Sequence, residues 1–311
     1  MAMIRPDTPV KTPAHGGTAA IRRFRIAKGR ATCRLGFMLG SSVSVFGEVE
    51  DCRKALAMFG CTALVLTKSG TFHARVTCLA LHNIWLLRLS ESLARIATYK
   101  TSSDMRRFVL PPATGHLFWG GVEATAGSLL SHGPETVVFE RTLAPVESLM
   151  ILVSERLLAH SVHTLIGSVA CLRPDVFRWN PRSTHLARLR ALHFAATGMS
   201  AERLAQAHGA SAYWGLEQEL IYALADCLSD MPSGPAVRQP RHVPEPAQQL
   251  AAMIAGSDQA HDTAAAICRR LSLSPSVMHR SCMKHFGVSP GQYIRLIRKQ
   301  TGGASANRCD R

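Results

Sequence analysis

The chain has 311 residues, room for one large domain or two ordinary ones, and its 47% hydrophobic and 18% charged content excludes wholesale disorder. A formal net charge of +15 favours a polyanionic partner, either nucleic acid or an anionic membrane surface. No apolar run approaches the roughly 20 residues of a membrane-spanning helix, since even the stretch from Leu79 to Leu89 contains His82, Asn83 and Arg88.

The first 44 residues have a basic centre, and no small-residue cleavage site follows it, so the segment does not resemble a secretory signal peptide. We predict a basic, largely disordered arm over residues 1–44, with extra residues from an upstream start codon as the alternative. The basic residues are Arg22, Arg23, Arg25, Lys28 and Arg30.

Nine cysteines are spread along the chain, an odd number without any C-x-x-C pair. This spacing favours neither a disulfide framework nor a zinc site. Reduced thiols in a cytoplasmic protein fit best, and several of the cysteines lie in apolar patterns typical of small buried side chains. We expect no metal and no other cofactor.

The region from Cys61 to Ser154 has the pattern of short strands separated by turns, which is typical of an antiparallel barrel or sandwich. Its breaks include Lys68-Ser69-Gly70 and His132-Gly133-Pro134. The predicted strands are Thr62–Thr67, Phe72–Leu79, Ile84–Leu89, Leu93–Tyr99, Thr136–Phe139 and Met150–Val153.

Two helical stretches follow Pro181, each with apolar residues on one face. Such a pattern is typical of buried core or of a dimer contact and carries no chemistry. Its members are Leu186, Leu189, Leu192 and Ala196 in the first stretch and Leu216, Leu220, Leu224 and Leu228 in the second.

A proline-rich segment separates these helices from the carboxyl-terminal part. Pro232, Pro235, Pro240, Pro244 and Pro246 cannot continue a helix and favour an extended connector. We therefore predict a linker over residues 231–246 and a domain boundary within it.

The carboxyl-terminal part predicts two short helices joined by a tight turn. Thr263 can cap a helix that runs through Arg270, and Ser274 can cap a second helix that begins at Pro275. Gly287 is well placed to end the second helix in the left-handed conformation.

At 100° per residue, the second helix has one outward face and one packing face. This is the layout of a helix-turn-helix, whose second helix enters the DNA major groove. Double-stranded DNA is therefore the predicted partner. The outward set is Ser276, His279, Arg280, Met283 and Lys284, and the packing set is Met278, Ser281, Cys282 and His285.

The same region resembles the AraC/XylS family of bacterial transcription regulators, above all over Phe286 to Tyr293. The resemblance implies a DNA-binding domain (the reader) with two helix-turn-helix units joined by a long helix. It also implies RNA polymerase as a further partner. By this resemblance Ser276, His279 and Arg280 read base edges, arginine at guanine being the commonest such contact, and Lys284 contacts phosphate. The remaining matches are Ile267-Cys268, Ser272-Leu273-Ser274 and Met278-His279-Arg280.

Two positions depart from the family pattern. Ser272 stands where the family usually has glycine, and a non-glycine residue in a left-handed turn costs about 1 kcal/mol. Cys282 stands where phenylalanine is usual, which removes a large buried ring. For each proposed reader, a solvated helix face is the alternative interpretation.

The tail Thr301–Arg311 predicts an early end to the long helix. Gly302 and Gly303 each cost about 1 kcal/mol in a helix interior, so we expect the helix to stop near Gln300 and the second helix-turn-helix to be missing. A reader with one unit binds DNA weakly unless a second copy of the chain supplies another.

The front domain has a looser resemblance to the sensor domains of regulators of the ethanolamine-utilisation type. It rests on Gly70–Ala74, Val138–Glu140 and Leu152–Glu155. Such domains are cupin-like β structures with trailing helices. The resemblance implies an α+β protein, with a cupin-like sensor domain followed by an all-α helix-turn-helix domain.

If the front domain senses a small molecule, candidate effector-binding residues near its strands are Phe72, His73, Trp85, Arg88 and Trp119. Ordinary core is the alternative for Phe72 and Trp85, and a domain used only for dimerisation is the alternative to a sensor. An enzyme is not supported, because the front-domain histidines at 73, 82, 116 and 132 form no H-x-H or H-x-x-x-H pair.

Together these patterns predict a transcription regulator with a sensor and dimerisation domain over residues 45–230 and a DNA-binding domain over residues 247–311. Its expected partners are DNA, a small-molecule effector and a second copy of the chain. The alternatives are a shortened regulator that acts only as a dimerisation or interaction module, and a cupin-like enzyme.

Overall fold

The computed structural model describes residues 40–167, 172, 176–199, 210–229, 246–256 and 263–306. Residues 1–39 of the predicted arm and residues 231–245 of the predicted linker lie outside these ranges. The first strand, β1 (Gly40–Phe46), begins inside the predicted arm. It pairs along its whole length with a neighbouring strand, so residues 40–44 belong to the β domain.

The strands form two antiparallel sheets. The larger sheet has the order β1, β3 (Ala74–Ala80), β4 (Ile84–Glu91), β11 (Val146–Ser154), β6 (Met105–Leu110), β9 (Leu129–His132) and β12 (Val176–Trp179). The smaller sheet has the order β2 (Cys61–Leu66), β5 (Arg95–Lys100), β10 (Val137–Thr142), β7 (Leu117–Trp119) and β8 (Val122–Ala124).

Helices flank the sheets on both sides, and none of those described is long and apolar enough to cross a membrane. The helices are α1 (Val49–Leu56), α2 (Glu155–Ile166), α3 (Ser183–Gly198), α4 (Ala210–Ser229), α5 (Pro246–Gly256), α6 (Ala264–Arg270), α7 (Pro275–His285) and α8 (Pro290–Ala306).

All six predicted strands are present as β2, β3, β4, β5, β10 and β11, with ends shifted by a few residues. The two helical stretches after Pro181 are also confirmed, as α3 and α4. Strands β1, β6, β7, β8, β9 and β12 were not predicted. Several of them are only three or four residues long, too short for an alternating pattern to be recognised.

Strand β4 shows why the interior has two apolar layers. Its side chains alternate, so Trp85 and Leu87 pack between the two sheets while Ile84 and Leu86 pack towards α2, α3 and α4. Both faces of the strand are buried, which accounts for its nearly continuous apolar run.

A third apolar layer lies on the outer face of the smaller sheet. Val65, Ile96 and Phe139 of that sheet pack with residues of α5, α6, α7 and α8 in one buried cluster. The predicted DNA-binding segment therefore shares an apolar core with the β domain.

Helix α8 corrects one prediction. It was expected to stop near Gln300, but it continues through both glycines to Ala306. Gln300 fixes the helix to the smaller sheet, since its side-chain amide donates to the Leu64 carbonyl at 2.6 Å and accepts from the Leu66 amide at 3.2 Å. Adding a turn to a helix that is already anchored is much easier than starting one.

Candidate nucleic-acid interface and buried polar site

Helices α6 and α7 are joined by the predicted tight turn. The Thr263 hydroxyl accepts from the Ala266 amide at the start of α6, and the Ser274 hydroxyl accepts from the Val277 amide at the start of α7. Ser272 has a φ of 53°, so it adopts the left-handed conformation predicted for this position. Both caps and the turn are thus confirmed.

The two predicted faces of α7 are also confirmed. Met278 and Cys282 are fully buried with their sulfur atoms 3.9 Å apart, and the Ser281 hydroxyl accepts from the Ala247 amide of α5 at 3.0 Å. On the other side, Ser276, His279, Arg280, Met283 and Lys284 are exposed. The helix is held along one side and presents the other to solvent.

The stretch from Phe286 to Tyr293 is built around a change of direction between α7 and α8. Gly287 ends α7 with a φ of 67°, as predicted. Ser289 and Gln292 then form a capping box: the Ser289 hydroxyl accepts from the Gln292 amide at 3.3 Å, and the Gln292 side chain accepts from the Ser289 amide at 3.0 Å. The ring of Tyr293 stacks on that of Phe286 with 4.1 Å between the ring centroids, and this contact holds α7 and α8 together at the turn.

The exposed surface around α7 is strongly basic. The sequence from Thr263 to Ala306 contains no acidic residue. Its basic residues attract a polyanion over a continuous stretch of three helices. They are Arg269, Arg270, Arg280, Lys284, Arg295, Arg298 and Lys299.

The end of α7 contacts the smaller sheet. Phe139 of β10 meets Phe286 edge to face at 4.8 Å and His285 at 5.5 Å between ring centroids. The β7–β8 hairpin reaches the same place: a Cβ built on Gly121 would lie 2.7 Å from Cγ of Lys284. Lys284, the predicted phosphate contact, is thus both exposed and in contact with the β domain.

A second candidate site lies between the sheets, where four buried charged side chains form one network. The Glu91 carboxylate accepts from Arg95 Nε at 2.6 Å. Glu140 is shared, since Oε2 accepts from Arg95 at 3.2 Å and Oε1 accepts from Arg107 at 2.5 Å. Burial raises the pKa of Glu91, the adjacent arginine opposing this shift. Such a network is expensive to bury, which suggests a role beyond stability.

Aromatic side chains surround the Arg107 guanidinium, whose central carbon lies 3.6 Å from the Tyr99 ring centroid and 5.4 Å from that of Trp119. His132, on the neighbouring strand, lies directly opposite Arg107 in the register. Burial, assisted by the arginine charge, holds the pKa of His132 well below its usual range. The same burial raises the pKa of Tyr99, which stays a neutral phenol.

The structure brings together only part of the predicted effector site. Phe72, Trp85 and Trp119 are buried in the layer between the sheets. His73, in contrast, is exposed on a loop. Arg88 lies on the opposite face of β4, where it binds Glu147 at 2.6 Å and lies over the Phe194 ring. The alternation of β4 causes this separation, because Arg88 is three residues from Trp85.

Sequence reasoning missed the polar residues of this site. They come from five strands of the two sheets, and their proximity depends on long-range pairing that no local pattern reveals. One signal was present: charged residues stand inside otherwise apolar strands, as in Met105-Arg106-Arg107-Phe108. Charged side chains are almost never fully buried unless they are paired, so such residues in a buried strand point to a polar network.

The described residues contain no group of three or more side chains suited to hold a metal ion. The six described cysteines are buried, and none of them forms a disulfide with another described cysteine. Burial raises the pKa of Cys282, where the family pattern has phenylalanine, to about 12.

No family model and no curated protein matches the sequence. Among solved structures, the AraC-like transcriptional activator CuxR is similar with a TM-score of 0.46 and 13% identity, over 84% of this chain and 95% of that chain. ToxT from Vibrio cholerae O395 has a TM-score of 0.30 and 12% identity, over 73% and 78%. Unsaturated fatty acid bound ToxT from Vibrio cholerae strain SCE256 has 0.26 and 12%, over 78% and 83%.

Proposed function

We propose that the chain is a sequence-specific DNA-binding transcription regulator of the AraC/XylS type, whose helix α7 enters the major groove. One observation carries the proposal: α7 exposes Ser276, His279 and Arg280 on one face while its opposite face is buried. A helix anchored in this way can enter the groove without disturbing its own packing.

Charge supports the same proposal. The three helices α6, α7 and α8 carry basic residues without acidic ones, which suits a surface that lies along phosphate groups. Arg280, near the middle of the exposed face, is placed to donate to a guanine edge. Lys284, one turn further on, is proposed to contact phosphate.

The β domain is proposed to sense a small molecule and to bring two copies of the chain together, so that the dimer has two readers. Its interior combines apolar walls from Phe72, Trp85 and Trp119 with the buried Arg107 network. The contact between Gly121 and Lys284 is proposed to transmit ligand binding in the β domain to helix α7. As a regulator of a bacterial chromosome, the protein would act in the cytoplasm.

The test is selection of bound sequences from a pool of random DNA duplexes by the full chain, followed by competition against unrelated duplex at physiological salt. We expect the selected sequence to bind at least about 10³-fold more tightly than unrelated duplex. Arg280→Ala should weaken binding to the selected sequence by roughly 1–3 kcal/mol.

The matched control is Arg156→Ala, which removes an exposed arginine from α2 and changes the net charge equally. It should leave the preference for the selected sequence unchanged. Selection of no common sequence, or equal losses for Arg280→Ala and Arg156→Ala, would contradict the proposal.

A further inference from the structure

The interior of the β domain holds hydrogen-bonding groups that the described residues leave unsatisfied. Nε and Nη1 of Arg107, Nε1 of Trp119, Oη of Tyr99 and Nε2 of His132 are buried, and each lacks a hydrogen-bond partner in the described part of the chain. Unsatisfied buried groups destabilise a fold and are therefore uncommon. Several of them around one guanidinium indicate a site that a ligand completes.

These groups converge on one place. Arg107 and His132 face each other across the β6–β9 pair. The Trp119 ring lies 5.7 Å from the His132 ring and 5.4 Å from the Arg107 guanidinium, which lies 3.6 Å from the Tyr99 ring. The unsatisfied groups therefore belong to four side chains that are neighbours in the interior of the β domain.

Of the two arginines in this buried network, Arg107 has fewer carboxylate contacts than Arg95. Arg95 donates to Glu91 and also to one carboxylate oxygen of Glu140. Arg107 has only the second oxygen of Glu140, and its Nη2 atom makes both that contact and one of 3.1 Å to the Met150 sulfur. The remaining N–H groups of Arg107 are free to donate to a carboxylate, their preferred partner.

His132 requires a hydrogen-bond donor from the ligand, whereas Arg107 requires an acceptor. Its low pKa makes the ring neutral at pH 7, so one ring nitrogen carries hydrogen and the other accepts. Nδ1 lies 3.3 Å from the Gly133 carbonyl oxygen, which can only accept. The hydrogen is therefore on Nδ1, and Nε2 is an acceptor that needs a donor from the ligand.

We infer that the β domain binds a small hydroxycarboxylate, whose carboxylate accepts from Arg107 and Trp119 and whose hydroxyl group donates to His132 Nε2. This inference rests on the proposed function, because it names the class of effector that the sensor would recognise. Phe72 and Trp85, which are buried in the same apolar layer as Trp119, are proposed to contact the carbon skeleton.

Isothermal titration of the full chain, without DNA, tests the inference. The probes are lactate, 3-hydroxybutyrate and mandelate, each compared with its own amide, and xylitol as a neutral polyol. We expect at least one carboxylate to bind about 10-fold or more tightly than its amide, since a hydrogen bond to a charged group contributes about that much. Binding by none of the carboxylates, or equal binding by an amide or xylitol, would overturn the inference.

Variants then locate the site. Arg107→Lys keeps the charge but removes the two free donors, and should weaken carboxylate binding about 10-fold. Trp119→Phe removes the ring N–H together with part of the indole ring and should weaken it about fivefold, which keeps the test available if Arg107→Lys does not fold. Arg75→Lys, at an exposed position of β3, is the matched control and should change nothing. Unchanged binding in both Arg107→Lys and Trp119→Phe would place the ligand elsewhere and overturn the assignment.

The two proposals fail separately. A chain that selects a DNA sequence but binds no hydroxycarboxylate overturns only the ligand inference. A chain that binds a carboxylate through Arg107 but selects no DNA sequence overturns the proposed regulator and leaves the binding site standing.

Discussion

Gly121, in the turn of the β7–β8 hairpin, lies directly against the backbone and side chain of Lys284 at the end of α7. The turn has positive φ at both central residues, 56° at Gly120 and 84° at Gly121, as a two-residue hairpin of the type I′ class requires. Trp119 of the buried polar site immediately precedes it. One short hairpin therefore joins the candidate ligand site to the candidate reader.

Gly121→Ala should destabilise the protein more than Gly120→Ala. Both add a Cβ where φ is positive, which costs about 1–2 kcal/mol. Only the Gly121 Cβ also meets Lys284, with its carbonyl oxygen at 3.0 Å, whereas nothing lies within 4 Å of the Gly120 position. We expect a further loss of about 1–3 kcal/mol from this overpacking.

Urea unfolding of the two variants beside the wild type measures the difference. Equal losses of unfolding free energy for Gly120→Ala and Gly121→Ala would show that the hairpin does not press on α7.

Gln300→Ala should release the end of α8 from strand β2. The Gln300 side chain bonds the Leu64 carbonyl and the Leu66 amide of this edge strand, in the manner of an added strand. Losing the pair should cost about 1–2 kcal/mol. Amide hydrogen exchange provides the direct readout, because the Leu66 amide loses its acceptor and should exchange faster. The neighbouring exposed Lys299→Ala is the control, and an equal effect there would contradict the assignment.

His193 should make the protein less stable as the pH falls. Burial, with the charge of Arg88 adding to it, lowers its pKa to about 4, and a ring nitrogen lies 3.1 Å from the Met150 carbonyl oxygen. In the unfolded chain His193 binds a proton near pH 6.5, whereas in the folded protein it does so only near pH 4. The contribution of His193 to stability is therefore complete above about pH 6.5 and is lost progressively down to about pH 4.

The variant His193→Gln keeps a donor at this position but removes the titration. Its unfolding free energy should fall less steeply than that of the wild type between pH 6 and pH 5, by about 1 kcal/mol per pH unit. Equal pH dependence of the unfolding free energy in the two proteins would show that folding does not lower the pKa of His193, which would contradict the prediction.

Limited proteolysis should first cut the chain between residues 231 and 245, where the proline-rich sequence predicts an extended connector. The fragments should nevertheless remain associated in size-exclusion chromatography, because Phe139 and Ile96 share an apolar cluster with Phe286 and Ile294. First cuts far from this segment would contradict the predicted division, and fragments that separate would show that the shared core is weak.

The pair of helices α6 and α7 could be predicted from sequence because its determinants are local. Thr263, Ser274 and Gly287 each specify a helix end through a neighbour fewer than six residues away, and the two faces of α7 follow from helical periodicity alone. The buried polar site could not be predicted in this way. Tyr99 and Arg107 meet only when β5 of one sheet and β6 of the other pack face to face.

The packing of helices α6 and α7 against the β domain could not be predicted from the sequence either. The sequence predicts a separate domain over residues 247–311, but apolar residues of this segment also cover Val65 and Phe139 of the smaller sheet. The end of α8 was misjudged for a related reason. Helix propensity at the glycines was weighed without the tertiary anchor at Gln300, which precedes them.

Methylation interference on the selected DNA tests most directly whether α7 reads the major groove. Methylation of guanine N7 blocks an acceptor that lies only in that groove. Wild-type protein should fail to bind duplexes methylated at one or two particular guanines, and Arg280→Ala should bind weakly but with no penalty at the guanine that Arg280 contacts. An interference pattern that is identical for the wild type and Arg280→Ala, or one without any guanine N7 position, would contradict the account.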